Sequence, residues 1–318
     1  MINAFKNGWI ILRISFKIFK HHPKFIIPLL VVWMIYAPIV LHLTFWFPWE
    51  VYSSTQIFPI MFSVLFIFSL LLTFSCSMLL ELIQQLESGE KMSISKSIRH
   101  TIGFNFLAIA MLAFAWAVVW FVLLIIQSLS SKGKGRVGGR ERVSFSTQNA
   151  AVALGTHTGG SWFGFLLGSL EKGLRMFVFL TLPAVAWEGL SFRPAIKRGR
   201  DVFEKRFTEF GTGFALTGLA ILIFFLPPAI ISYLANWHTV IFPDWVWWLT
   251  ILYTAFMWSY SIYLEQMFTA ELYLWHLWWE KEVAKAQQEN RPIPEFSAVP
   301  APSIFDDIYE FNDDKKTT

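Results

Sequence analysis

The chain has 318 residues, of which 55% are hydrophobic and 15% are charged, and its net charge is +4. Globular domains contain about 25% charged residues, so this composition and the mean hydropathy of +0.50 favour a polytopic membrane protein over a soluble enzyme. The single cysteine, Cys76, excludes an intrachain disulfide. The basic residues gather near the ends of apolar segments, which indicates orientation in a membrane rather than binding of nucleic acid.

Residues 3–20 have the pattern of an amphipathic helix. Apolar residues recur at steps of three and four on one face: Phe5, Trp9, Leu12, Phe16 and Phe19. Cations share the opposite face: Lys6, Arg13, Lys17 and Lys20. This pattern predicts a helix that lies flat at the bilayer surface. The alternative is an amphipathic helix that packs on other parts of the protein.

Six apolar segments are predicted to cross the bilayer. They are residues 25–47, 58–80, 104–126, a fourth segment that begins at 162 or 170 and ends near 187, 211–233, and a sixth that begins between 243 and 248. The fourth segment is the weakest candidate because Glu171, Lys172 and Arg175 lie near its start. Pro227 and Pro228 predict a break or a sharp kink in the fifth, since each proline removes a backbone donor.

Two more short basic helices are predicted between the apolar segments. In the first, Ile94, Ile98 and Ile102 share one face and Lys96 and Arg99 point elsewhere. The second begins near Pro194, a residue that suits the first turn of a helix. Its apolar face is predicted to contain Ile196, Gly199, Phe203, Phe207 and Phe210, and its polar face Lys197, Arg198, Asp201, Glu204 and Lys205. Both helices are expected to lie at the membrane surface.

The predicted fold class is therefore an all-α, polytopic helical membrane protein with about six transmembrane helices and three amphipathic surface helices. The order of the elements suggests three helix–span–span repeats, at about residues 3–90, 91–190 and 191–285. Residues 1–285 form one integral membrane domain that includes a mobile polar loop at 128–160, and residues 286–318 are a polar tail predicted to be disordered. With six spans, 19 of the 26 Lys and Arg residues lie on the side of the termini, which predicts a bacterial inner-membrane protein with both termini in the cytoplasm.

A carboxylate follows the second span of each predicted repeat: Glu81, Glu188 and Glu265. A carboxylate near a helix C-terminus is mildly unfavourable, so we expect nearby cations to compensate it. The candidate partners are the cations of the surface helices: Arg13, Lys17, Lys96, Arg99, Lys197 and Arg198. Each pair would fix the angle of a surface helix to the membrane. In the alternative, the three carboxylates face lipid headgroups and water.

No sequence motif for catalysis or for cofactor binding is present. The chain contains neither HExxH nor GxSxG. The stretch GKGRVGG in the polar loop lacks the spacing of a phosphate-binding loop. His21 and His22 are adjacent and therefore do not share a helix face as metal ligands would. We therefore predict no catalytic, cofactor-binding or metal-binding residue, and no cofactor.

Three stretches resemble a family of uncharacterised bacterial six-span membrane proteins. They are GWIILRISFKIFKHHPKFIIPLL near the start, TLPAVAWEGLSFRPAIKRGRDVFEKRF in the centre and FTAELYLW near the end of the sixth span. The resemblance covers roughly residues 5–280. The wider group is similar to Yip-type proteins and to the membrane domains of glycerophosphodiester phosphodiesterases. It implies a helical membrane fold and a role in membrane organisation or lipid handling, but it supplies no catalytic residue for this chain.

The leading functional hypothesis is a non-enzymatic membrane protein that organises lipids or partner proteins. Its expected partners are membrane lipids, above all anionic headgroups at the cytoplasmic face, and a protein partner or a second copy of the chain is an open alternative. The second hypothesis is a transporter or channel for a small solute, which the repeats and the Pro-Pro pair favour. Against it, no charge is predicted near the membrane midplane. A lipid-processing membrane enzyme is the third.

Overall fold

A computed structural model describes residues 2–88, 90–104, 106–131, 144–155, 162–237 and 240–299 of the chain. Within these residues all regular structure is helical, which confirms the predicted helical class. The α-helices are α1 Ile2–His21, α2 Ile27–Phe45, α3 Ser54–Glu87, α4 Ile94–Phe104, α5 Phe106–Ser131, α6 Thr147–Gly155, α7 Trp162–Ala186, α8 Phe192–Lys205, α9 Phe207–Trp237 and α10 Asp244–Gln288. Short 3-10 turns at Pro23–Ile26, Trp49–Val51 and Phe296–Ala298 complete the described structure.

Four of these helices are long and apolar enough to cross a membrane. The segments are Pro23–Phe45, Thr55–Leu86, Phe106–Gln127 and Phe207–Ala235, which correspond to α2, α3, α5 and α9. Helix α7 is not among them because Glu171, Lys172 and Arg175 interrupt its apolar sequence. Helix α10 is not among them because Trp, Tyr, Ser and Thr lower its hydropathy. The four helices agree with a membrane protein, as the sequence predicts.

Helix α10 is the core of the bundle. It is 45 residues long, and residues 259–273 are buried on every side. It packs against α1, α2, α6, α7 and α9. A helix that is buried all round belongs to the interior of a large assembly of helices. The other long helices are therefore arranged around α10.

Helix α9 continues through Pro227 and Pro228, although the sequence predicted a break or a sharp kink there. The missing N–H of Pro228 frees the carbonyl of Phe224, four residues earlier. That carbonyl accepts a hydrogen bond of 2.9 Å from the hydroxyl of Tyr253 on α10. A partner from the neighbouring helix thus replaces one of the two lost donors, and the helix continues without a break.

Helices α1, α4 and α8 lie at the same end of the bundle. At this end α3 and α7 finish, and the indole N–H of Trp187 donates to the carbonyl of Leu80 over 3.3 Å. Helix α4 packs on the last part of α3, and α8 packs on α7. Helix α1 packs on α9 and α10, so it partly fits the alternative of a helix that packs on protein. Trp9 and Phe16, predicted on the apolar face of α1, are exposed, because the face that packs is formed by Ile11, Leu12, Ser15 and Ile18.

Helix α8 begins at Phe192, two residues earlier than the predicted start at Pro194. It ends at Lys205, so Phe207 and Phe210 belong to α9 rather than to the apolar face of α8. The connection from α7 to α8 turns at Gly189, whose φ of +64° is a left-handed conformation that favours glycine. The Glu-Gly pair in the central sequence stretch is therefore the end of one helix and the turn into the next.

Two segments that the sequence assigned to mobile or disordered regions are packed where the structure describes them. Helix α6 lies within the predicted loop at 128–160, and Thr147 Oγ1 donates to Asp244 Oδ1 of α10 over 2.7 Å. Residues 289–299, part of the tail predicted to be disordered from 286, turn back along α10 and bury Phe296 and Val299. Both segments carry small or aromatic residues that cover apolar parts of α10. The rest of the predicted loop, at 132–143 and 156–161, and the tail at 300–318 lie outside the described residues.

Candidate functional site

The three short helices at one end of the bundle present cations to the outside. Within the described residues, several cations on these helices or beside them are exposed and make no ion pair: Arg13, Lys20, Arg99, Arg193 and Lys197 on the helices, and Lys24 and Lys91 next to α1 and α4. Lys17 is also exposed. Exposed cations beside the ends of long apolar helices can bind phosphate groups of lipids. We call α1, α4 and α8 with these cations the basic surface.

Glu81 lies six residues before the end of α3, which continues past the predicted end of the span to Glu87, and it does not contact the cations that the sequence proposed for it. Its Oε2 lies 3.1 Å from Nδ1 of His100 on α4. Lys96 of the same helix pairs with Glu90 instead, and Arg99 points to the outside. The carboxylate therefore does contact α4, but its partner is a histidine that was not among the predicted cations.

Glu188 contacts the predicted Arg198 of α8. Arg198 Nε lies 3.4 Å from Glu188 Oε1, and the hydroxyl of Tyr273 on α10 donates to the same oxygen. Arg198 makes its stronger pair with Glu280 of α10, through hydrogen bonds of 3.0 and 2.5 Å. Lys197 is exposed and does not take part. The surface helix α8 is thus attached to α10 as well as to the end of α7.

Glu265 is fully buried and pairs with α7, not with Arg13 or Lys17 of α1. Arg175 Nε and Nη2 donate to its two carboxylate oxygens over 2.8 and 3.1 Å. The predicted partnership of Glu265 with Arg13 and Lys17 is wrong because α7, rather than α1, lies against the face of α10 that carries Glu265.

Two more charges of α7 complete this buried group. Arg175 Nη1 donates to Glu171 Oε1 over 2.8 Å, and Lys172 Nζ lies 3.8 Å from Glu265 Oε1. Lys172 also donates to the carbonyl of Phe214 on α9 over 2.8 Å. We call Glu171, Lys172, Arg175 and Glu265 the ion cluster. The cluster has no net charge, and each member has a partner, so its first effect is to join α7, α9 and α10.

The ion cluster places charged side chains well inside the bundle, away from the helix ends. Arg175 precedes the end of α7 by eleven residues, which is about 17 Å along a helix. The sequence predicts no charge near the membrane midplane, so this position was not expected. A signal was present, because Glu171 and Arg175 are spaced as an i,i+4 pair on one helix face. That spacing indicates a neutralised pair rather than a weak span.

A second polar network joins α8, the start of α9 and α10. The guanidinium of Arg206 donates from Nε to Nδ1 of His276 over 3.3 Å. His276 Nε2 lies 3.0 Å from Glu280 Oε1, and Lys205 Nζ lies 3.6 Å from the same oxygen. With Nδ1 as an acceptor, His276 is neutral and carries its proton on Nε2. Burial, opposed by Glu280 and assisted by the three cations Arg206, Lys205 and Arg198, lowers the pKa of His276 to about 4.

The clearest surface cavities of the described residues are apolar. One, of about 220 Å³, lies between α2, α6 and α10 and is lined by residues such as Met34, Pro38 and Trp248. The other, of about 260 Å³, lies between α5 and the start of α8. Neither is lined by a residue of the ion cluster. Grooves of this kind fit hydrocarbon chains better than polar solutes. Among the described residues, no group of His, Cys, Asp and Glu is arranged to hold a metal ion.

Comparison of the chain with protein-family models, with curated proteins and with solved structures gives no match.

Proposed function

We propose that the chain is a six-span protein of the bacterial inner membrane that binds anionic lipid headgroups at its cytoplasmic face and catalyses no reaction. The observation that carries the proposal is the basic surface, in which three short helices at one end of the bundle present unpaired cations. Each Lys or Arg near an anionic membrane surface contributes about 1 kcal/mol of binding. Several such cations on helices held in place by the bundle therefore add to a substantial preference for anionic lipid.

Helices α7 and α10 supply the fourth and sixth spans of this proposal, in addition to α2, α3, α5 and α9. The charges of α7 are neutralised by Glu265 inside the bundle, so crossing the bilayer does not require a bare charge in hydrocarbon. Residues 259–273 of α10 are buried on every side, and Thr250 and Thr254 in its exposed first half are buried too, so these polar residues face protein. In this arrangement α1, α4 and α8 each precede two spans, which gives the three repeats and puts both termini on the cytoplasmic side. The same arrangement supports membership of the six-span family that the sequence resembles.

The test compares anionic and neutral bilayers. The full chain is placed in nanodiscs of phosphatidylcholine with increasing phosphatidylglycerol, and bound lipid is measured by native mass spectrometry. Replacing Arg193 and Lys197 together with glutamine should weaken phosphatidylglycerol binding by about 2 kcal/mol, or about 30-fold.

The matched control replaces Lys281 and Lys285 with glutamine. These cations are also exposed, but they belong to α10 beyond Glu280 and not to the three helices of the basic surface. The control therefore removes the same amount of charge without removing a cation of α8, and it should lose less affinity than the variant of Arg193 and Lys197. Equal losses in the two double variants, or no loss in either, would reject specific binding by the basic surface.

Transport of a small solute is the second candidate, and the ion cluster is the observation that favours it. Ionisable residues inside a helical bundle mark ion and substrate pathways in many membrane proteins. Against this function, the cluster is saturated by its own members and the apolar grooves do not reach it. Proteoliposomes loaded with a pH-sensitive dye would decide the point: proton or solute flux that disappears in Glu265→Gln but persists in Glu90→Gln would favour transport.

A further inference from the structure

The described end of the chain forms a strap across α10. Helix α10 ends at Gln288, and Asn290 adopts a left-handed φ of +53°. The N–H of Arg291 donates back to the carbonyl of Ala286 over 2.8 Å, a closure typical of a helix C-terminus. Pro292 and Pro294 then favour an extended backbone. We call residues 294–299, which run back along α10, the C-terminal strap.

The strap is held by few interactions. Two indole N–H groups, spaced by one turn of α10, donate to its backbone: Trp275 to the carbonyl of Val299 and Trp279 to the carbonyl of Pro294, each over 3.0 Å. The ring of Phe296 lies 4.2 Å from that of Trp275, measured between centroids. Two buried side chains, Phe296 and Val299, and two hydrogen bonds therefore anchor the described strap. None of these contacts joins two helices of the bundle, so the strap can leave without unfolding it.

Phe296 covers the guanidinium of Arg206. The central carbon of that group lies 3.4 Å from the ring centroid of Phe296 and 4.4 Å from that of Trp279. Arg206 connects α8 to α9 at the end of the bundle that carries the basic surface. Its Nη2 is buried and has no hydrogen-bond acceptor among the described residues. Contact with aromatic faces compensates a buried cation in part, but a guanidinium favours oxygen acceptors.

We propose that the C-terminal strap is a displaceable cover over an anion site centred on Arg206, and that the open site binds a phosphate group. The inference rests on the proposed binding of anionic lipid and adds its regulation. With the strap released, one face and the Nη2 edge of the guanidinium are open, and Nε stays oriented by His276. A planar guanidinium binds phosphate oxygens through two parallel hydrogen bonds. Lys205, next in the chain, adds positive charge at the same place. The phosphate can belong to a lipid headgroup or be a free ion.

The experiment uses the full chain in nanodiscs with Phe296→Ala. Loss of the anchor should raise affinity for phosphatidylglycerol about fivefold, the gain expected from one more cation at the surface. Phe296→Ala combined with Arg206→Gln should lose that gain. Ile293→Ala, which removes an exposed apolar side chain just before the strap, is the matched control and should leave the affinity unchanged. Trp279→Phe, which removes one donor to the strap and keeps a ring over Arg206, gives a second and milder release if Phe296→Ala does not fold.

A second arm uses inorganic phosphate with neutral phosphatidylcholine nanodiscs. An Arg206-dependent gain for phosphatidylglycerol assigns the site to lipid, and one for inorganic phosphate alone assigns it to the free ion. No gain in either arm, for Phe296→Ala and Trp279→Phe alike, would overturn the inference. The unaltered chain separates this failure from that of the proposed function. If it prefers phosphatidylglycerol to phosphatidylcholine while the strap variants gain nothing, only the strap inference is lost.

Discussion

Replacing Glu265 with glutamine should be among the most destabilising single changes in this protein. Glu265 accepts two hydrogen bonds from Arg175 and is fully buried. Glutamine offers one acceptor and one donor in the same place, so an amide N–H would face the guanidinium. The cluster would then carry one unbalanced positive charge. Breaking a buried pair by removal of one partner costs about 3–5 kcal/mol, and we expect a loss of free energy of unfolding in that range.

The assay is a double-mutant cycle of unfolding in mild detergent, followed by tryptophan fluorescence. Arg175→Met alone should also destabilise, and the double variant Glu265→Gln with Arg175→Met should be less unstable than the sum of the two, because each change removes the charge that the other leaves bare. Glu171→Gln is the control, since this carboxylate is partly exposed and pairs of that kind contribute about 0–1 kcal/mol. If Glu265→Gln costs no more than Glu171→Gln, or if the losses at Glu265 and Arg175 simply add, the cluster does not hold the helices as we infer.

Three further outcomes are expected. Tyr253→Phe leaves the carbonyl of Phe224 without its partner and should reduce the free energy of unfolding by about 1–3 kcal/mol in the same assay. Gly213→Ala should destabilise by about 1–3 kcal/mol, because an added Cβ would lie 1.9 Å from a ring atom of α10, whereas Gly211→Ala meets no atom within 4 Å and should not. Stability should fall as the pH drops from about 6.5 to about 4. Over this range His276 takes up a proton in the unfolded chain but not in the folded protein, where its pKa is lowered. Thermal melts of His276→Gln should show a smaller fall over the same range.

The sequence predicts the helices well because their signals are local. Continuous apolar runs correctly indicate α2, α3, α5 and α9, and the alternation of apolar and basic residues indicates α1, α4 and α8. These patterns depend on residues within one or two turns of each other. The start of α8 at Phe192 rather than Pro194 shows the usual error of such reasoning, which lies at the ends of the elements.

The partners of the three carboxylates are harder to predict because they depend on which helices are neighbours. The pairing of Glu188 with Arg198 spans ten residues and is suggested by chain proximity. Glu265 and Arg175 are 90 residues apart, and nothing in either local sequence indicates that α7 lies against that face of α10. The three charges of α7 were interpreted as a defect of a membrane span. They are instead three members of a neutral cluster whose fourth member is a glutamate on another helix.

The C-terminal tail shows a different limit of prediction from sequence. Its composition is polar and proline-containing, which is typical of disordered segments. Packing of residues 294–299 depends on a few apolar residues: Trp275 and Trp279, which share a face of α10, and Phe296 and Val299, which pack beside them. The polar composition of the tail as a whole does not reveal the effect of a few apolar residues. The spacing of two tryptophans by four on a helix that leaves the predicted membrane is the signal that would have indicated a covering segment.

The attachment of the surface helices has a consequence for lipid binding. Helix α1 is joined to α10 through the hydroxyl of Tyr263, which donates to the carbonyl of Ser15 over 3.0 Å, and α8 is joined to α10 through Glu280. Helix α4 is held by α3, where the side chain of Gln85 donates to Ser97 over 3.2 Å. Groups that share a partner couple energetically, and distant groups without one add independently. Lipid bound at α1 should therefore influence lipid bound at α8 through α10, while lipid bound at α4 reaches α10 through α3 and should couple more weakly.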